Sequence, residues 1–176
     1  MDTFIGSKEG LFRVRPDRSV KKITDITNGI SVSNIAGSIV KGDYLVACTI
    51  VAKDGEESAP SLITPVNCTG GLLLNFTGGA AGERRRIYMS QLGGTELFQV
   101  HEQAATIATA NLTAVGYGVA LDVYGKTAPS GDIAVLEDFG GSLMVAANQF
   151  LWYSRPYRFE YFDSIRQVIP FPEQIT

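Results

Sequence analysis

Histidine occurs once in this chain, at position 101, and cysteine twice, at 48 and 68. Any nucleophile paired with an imidazole base has that one histidine to use, and a closed zinc site finds no recognisable ligand spacing. No stretch reaches the roughly 18 apolar residues that span a bilayer. Met1-Asp2-Thr3-Phe4 has neither the basic flank nor the apolar core of a secretory leader, which argues against export by that route. Positive charge is not in excess: 15 Lys and Arg stand against 18 Asp and Glu, a net charge of −3. Neither nucleic acid nor a membrane is therefore expected as a partner, and no cofactor is implied.

What the chain does have is strand material. Its 176 residues suffice for one domain or two small ones, and 45 % apolar against 19 % charged is the balance of an ordinary folded protein. Tyr44–Ala52 is rich in β-branched residues and runs into Asp54-Gly55, a turn-favouring pair. Leu62–Asn67 follows, its Pro65 suited to a sheet edge, and Leu72–Phe76 closes at Gly78-Gly79. Arg86–Ser90 and Glu96–Val100 flank Gly93-Gly94 as a hairpin, and Gly118–Tyr124 is predicted as a further strand. Helical candidates reduce to Glu102–Ala105 and a single turn at Tyr157–Phe162 after Pro156. The expected class is all-β. Cys48 and Cys68 sit among apolar residues, out of register for a bridge, and read as buried free thiols.

The strongest internal signal is a repeat. Thr3–Pro16 aligns without a gap on Leu143–Pro156 at a constant offset of 140 residues. Each copy is an apolar strand, small residues, a polar pair, a Leu-aromatic strand and Arg-Pro. Copied units of this kind bury one another's faces. The residues between the copies look different, so an insertion is expected. Blade-like segments at 1–36 and 127–176 would enclose an inserted domain at 37–126, with the two terminal copies in one layer of sheet.

Within the insert, Gly42-Asp43-Tyr44-Leu45-Val46, Val51-Ala52 and Gly55-Glu56-Glu57-Ser58-Ala59-Pro60-Ser61 resemble the end of a fibronectin type III module. There a Tyr-bearing penultimate strand passes through a Gly-Glu-x-Ser-x-Pro loop into the last strand. Arg86-Ile87-Tyr88, a Gly-Gly turn and Leu97–Val100 resemble the module's central hairpin. The closing strands precede the opening ones, which suits a circularly permuted sandwich or halves of two modules. This middle between blade-like ends, with the tail Leu151–Asp163 and Ile169-Pro170-Phe171-Pro172, resembles virion structural proteins of tailed bacteriophages and prophages. The resemblance implies a fibronectin type III- or Ig-like sandwich flanked by blade-like hairpins and a place in the tail or neck. It also implies other virion proteins and copies of the same chain as partners, and synthesis in the cytoplasm of a bacterial host. Only two blade-like ends are present, so either a larger protein or neighbouring subunits would complete the sheets.

Motifs for chemistry are weak. Ala120–Thr127 fits a relaxed phosphate-loop pattern, but its interior alternates like a strand, and Ala128-Pro129-Ser130-Gly131 does not continue as a helix. His101 beside Glu102 reads as a strand-end polar residue. Asp54, Glu56 and Glu57 read as turn and loop acids, with a weak calcium site as the sharper alternative. Glu137-Asp138 precedes Gly140-Gly141 and reads as loop. The functional candidate is the aromatic run near the end, because Trp, Tyr and Arg are the residues that anchor protein interfaces. Trp152, Tyr153, Arg155, Tyr157, Arg158 and Tyr161 are the expected contact residues, with Arg84, Arg85 and Arg86 as a rim. Assembly without catalysis is the function this points to; a carbohydrate- or receptor-binding module, stacking sugars on the same aromatics, is the alternative.

Overall fold

A computed structural model of the chain describes residues 2–23, 28–164, 166–173 and 175. Every regular element among them is a β-strand, so the class is all-β. The first three are β1 (Thr3–Ser7), β2 (Gly10–Val14) and β3 (Val20–Lys22). Then come β4 (Gly29–Ile35), β5 (Gly42–Val51), β6 (Thr64–Cys68), β7 (Gly71–Thr77), β8 (Arg84–Ser90), β9 (Leu97–Ala104) and β10 (Thr109–Leu112). The last six are β11 (Lys126–Thr127), β12 (Ile133–Phe139), β13 (Ser142–Ala147), β14 (Phe150–Arg155), β15 (Arg158–Asp163) and β16 (Val168–Pro170). They form two compact units, one from Met1–Asp25 with Gly125–Thr176 and the other from Ile26–Tyr124.

In the first unit, β1-β2-β3 is one antiparallel sheet and β11-β15-β14-β13-β12 is another, with β16 also paired to β14. The repeat is structural. Ile5 pairs with Phe12 in the first copy as Val145 pairs with Trp152 in the second, and Phe4 with Arg13 as Met144 with Tyr153, so both hairpins share one register. Period-2 alternation then sorts the side chains. Leu11 and Phe4 leave one face of the first sheet to meet Leu143, Val145, Ile133, Leu136 and Trp152 on one face of the second. Phe4 meets Phe159 edge to face at 5.7 Å. Gly6 leaves the space that Ile133 Cγ2 fills, a close approach any side chain would block.

In the second unit, the sheets β10-β7-β4 and β6-β5-β8-β9 enclose a common core. Val32, Leu72, Leu74 and Phe76 come from the three-stranded sheet, and Tyr44, Val46, Cys48, Ile87 and Met89 from the four-stranded one. Both cysteines are buried free thiols within it. Asn34 ties the sheets at one end, its Nδ2 donating to Asn67 O at 3.0 Å and its Oδ1 accepting from Thr69 N at 2.9 Å. Beyond the turn at Gly55, Ser58 and Ser61 extend the edge of β5. Their Oγ atoms accept from Ile50 N and Cys48 N at 3.0 Å, while their own N–H groups donate to Ile50 O and Cys48 O at 2.8 Å. Two side-chain oxygens thus replace ladder carbonyls along a stretch that Pro60 would otherwise break.

Several expectations change. The insert begins before residue 37, because Gly29–Ile35 pairs along its whole length with Gly71–Thr77. The terminal copies lie in two sheets packed face to face, not in one hydrogen-bonded layer. Glu102–Ala104 continues strand β9, and Arg158–Phe162 lies within strand β15, so neither is helical; pairing with neighbours overrides local propensity there. The predicted strand at 118–124 reduces to a single bridge between Ala120 and Phe98, with Gln99 N donating to Val119 O at 2.8 Å.

Tyr44, near the start of β5, is buried and its hydroxyl donates to Val40 O four residues upstream at 2.9 Å. Tyr44→Phe is expected to keep the packing and lose this bond, costing about 1 kcal/mol in urea unfolding; an unchanged midpoint would show that the bond does not hold the strand entry.

Candidate functional site

The three arginines of β8 part company because successive strand residues face opposite sides. Arg85 stands opposite Ile50 on the core side and is fully buried, whereas Arg84 and Arg86 point to the outer side. Arg85 meets no carboxylate among the described hydrogen bonds. Its Nη1 donates to Ile107 O at 2.9 Å, its Nη2 to Gly78 O, and the guanidinium lies 4.4 Å from the Phe76 ring centroid. Burial pushes its pKa down and that of the neighbouring Cys48 thiol up.

On the outer side, Glu57 is the hub. Its carboxylate accepts from Thr49 Oγ1 at 2.6 Å and from Tyr88 Oη and Arg86 Nη1 at 2.7 Å. Arg86 Nε and Arg84 Nη1 each donate to Glu102 at 2.8 Å. Burial, then the bond to Glu57, pushes the Tyr88 hydroxyl well above its usual range. The Arg86 hydrogen bond holds the Glu102 carboxyl below its usual range. The charges are consumed within the unit, so Arg85 is withdrawn as a rim residue and Arg86 is engaged by its own acids. Sequence reasoning missed Glu57 as an anchor; its one signal was an acid placed just after the Asp-Gly turn, within reach of two strands.

In the terminal unit, the aromatic run also divides. Trp152 packs on the core of facing sheets, and its buried Nε1 has no partner among the described residues. Tyr161 is fully buried and flanked by guanidinium groups, Arg155 at 3.9 Å and Arg158 at 5.3 Å from the ring centroid. Tyr153 donates its hydroxyl to Arg166 O at 2.6 Å. Trp152 and Tyr161 are therefore packing residues and not contact anchors: Trp152 lies on the face turned to the core, and Tyr161 is buried beneath the two guanidinium groups.

Tyr157 is the exception. It is 84 % exposed, in the two-residue turn between β14 and β15, with φ of 58°. The position after a turn proline with positive φ ordinarily takes Gly or Asn. Its N–H donates to Gly141 O at 2.7 Å, joining this turn to the neighbouring one, and Gly141, at φ +82°, has no room for a Cβ beside the Tyr157 ring. Phe139, 72 % exposed, starts that second turn opposite Ser142. Two exposed aromatics thus cap one end of the sheet, above the half-buried Arg155 and Arg158. Tyr157 combines a left-handed backbone with an exposed aromatic side chain. His101 is exposed on β9, and no group of three or more His, Cys, Asp or Glu among the described residues could hold a metal ion.

Trp152→Ala is expected to cost about 2–4 kcal/mol in denaturant unfolding of the terminal unit, and Tyr157→Ala less than about 0.5; equal losses would refute the division into packing and surface residues. A second expectation concerns acid. Because the folded Glu102 carboxyl titrates below its ordinary value of 4.5, its contribution is present at neutral pH and lost as pH falls through the lowered value. Between about pH 5 and pH 3, Glu102→Gln should therefore lose less stability than the parent; parallel stability–pH curves would exclude that linkage.

No family model and no curated protein matches the chain.

Proposed function

We propose that this chain is a structural component of a tailed phage or prophage particle, acting in the tail or neck through protein–protein contacts. Its insert is read as a permuted fibronectin type III-like sandwich. The observation that carries the proposal is the repeated hairpin: two copies in one register, packed face to face and interrupted by an independent sandwich. That is how a modular assembly protein is built, with blade-like layers for stacking and an inserted module. Three features support the fibronectin type III reading. The sheet order β6-β5-β8-β9 puts the Tyr-bearing strand between the strand it leads into and the hairpin β8–β9. The Tyr44–Val40 bond has the form of a tyrosine corner, in which a Tyr near the start of that strand bonds backbone a few residues upstream. The Ser58 and Ser61 clamps give the Gly-Glu-x-Ser-x-Pro loop a structural task.

Contacts to other particle proteins would be made at the exposed turns, with Tyr157 as aromatic anchor and Arg158 beside it. Mass spectrometry of density-banded particles from the organism that encodes the chain should recover it as a component, and Tyr157→Ala should lower its incorporation several-fold without unfolding it. Particles that lack the protein would overturn the proposal. Glycan-array binding by the isolated chain, lost in Tyr157→Ala, would replace it with a host-surface adhesion module.

A further inference from the structure

The repeat also says what covers the sheet faces that remain open. In the first sheet the buried face carries Phe4 and Leu11, and the other face carries Ile5, Phe12, Val14 and Val20. In the second sheet the buried face carries Val145 and Trp152, and the other carries Met144, Leu151, Val135 and Ile169. At the offset of 140, Phe4 and Leu11 correspond to Met144 and Leu151, while Ile5 and Phe12 correspond to Val145 and Trp152. The face that the first sheet buries therefore corresponds to the face that the second leaves partly exposed, where Ala146 and Tyr161 are already buried, and the reverse correspondence also holds. The packing inside the unit is head-to-tail, and its two end faces are the same complementary pair that already meets in the middle.

The geometry points to a second copy of this chain as the occupant. The open face of its second sheet would seat on the open face of the first sheet here, repeating the internal contact between molecules. Charge agrees. Lys22 shares the open face of the first sheet, its Nζ 5.9 Å from the Phe12 ring centroid, and Glu137 shares the open face of the second, opposite Met144. Val20 is 63 % exposed and Ile169 45 %, so apolar surface is available on both. An interface between unlike faces generates a ring if the rotation closes and a filament if it does not. This interface rests on the assembly reading above and gives it a mechanism.

The test uses the full chain in sedimentation velocity over a range of concentrations, with circular dichroism to confirm folding. The parent should self-associate. Val20→Glu damages one face and Ile169→Lys the other, so each alone should associate at least about tenfold more weakly. Mixed, they retain one intact pair of faces and should form a one-to-one dimer that grows no further. Because both substitutions change sheet surfaces, charge reversal provides a second arm: Lys22→Glu and Glu137→Lys should each weaken association, and the chain carrying both should recover it. A parent that stays monomeric, variants that associate like the parent, or a mixture that forms no dimer each overturns the proposal. Recovery of a monomeric chain from particles would sink this interface alone. A self-associating chain absent from particles would sink only the particle reading.

Discussion

Each hairpin of the repeat carries apolar side chains on both faces of its pleat, and burying both faces is the constraint that organises the terminal unit. A sheet apolar on one side can rest on a core and face water; one apolar on both sides is stable only as a layer within a stack. Here Leu11 and Phe4 are covered by Val145 and Trp152, while Ile5, Phe12, Met144 and Leu151 remain partly in contact with water. Equal register in the two hairpins turns this into a directional rule, because equivalent residues always emerge on equivalent faces. Stacking by translation then leaves one face of each kind unmatched at the ends, however many layers a unit contains.

The inserted sandwich satisfies its own faces by different means. Its core is apolar except for Arg85, whose charge is met by loop carbonyls and the face of Phe76 and not by an acid. That arrangement ties the turn after β7 and the loop before β10 to a single side chain of β8, so the guanidinium acts as a spacer between sheets. A buried charge of this kind is costly to desolvate, and Arg85 Nε is buried without a hydrogen-bond partner among the described residues. On the outer side, Glu57 gathers Thr49, Tyr88 and Arg86 from β5 and β8, and Arg86 passes the chain on to Glu102 of β9. Strand β8 is thereby fixed on one side by carbonyls and on the other by carboxylates.

Much of this was legible in the residues, and what was not has physical causes. The repeat, the Gly93-Gly94 hairpin, the edge position of Pro65 and the free cysteines all follow from local pattern. Trp152 was misjudged because composition marks it as an interface residue, whereas strand parity puts it on the buried side with Val145. The same parity separates Arg85 from its neighbours, so a run of three like charges is not one patch. Where the insert begins depended on the pairing of Gly29–Ile35 with a strand more than thirty residues away, which no local signal carries. Residues 118–124 alternate like a strand, yet their pairing with the edge of β9 at Leu97–Gln99 amounts to one isolated bridge, while Leu121 and Val123 are buried.

Tyr157 fits neither the sandwich nor the stack, and that separation is informative. Stacking engages side chains that stand on the pleat, whereas Tyr157 and Phe139 occupy turns at one end of the strands. Face-to-face contact between copies would leave those turns at the rim of whatever assembly forms. The Tyr157 ring rests against Gly141 but is largely exposed, so little packing offsets a left-handed backbone that glycine or asparagine would adopt more readily. On the assembly reading proposed above, the two kinds of contact would lie in separate places, pleated faces joining like units and the aromatic turn meeting an unlike partner. A change of side chain at the turn would leave the pleated faces untouched, because the bond from Tyr157 N to Gly141 O joins one turn to another and any non-proline residue at 157 can make it.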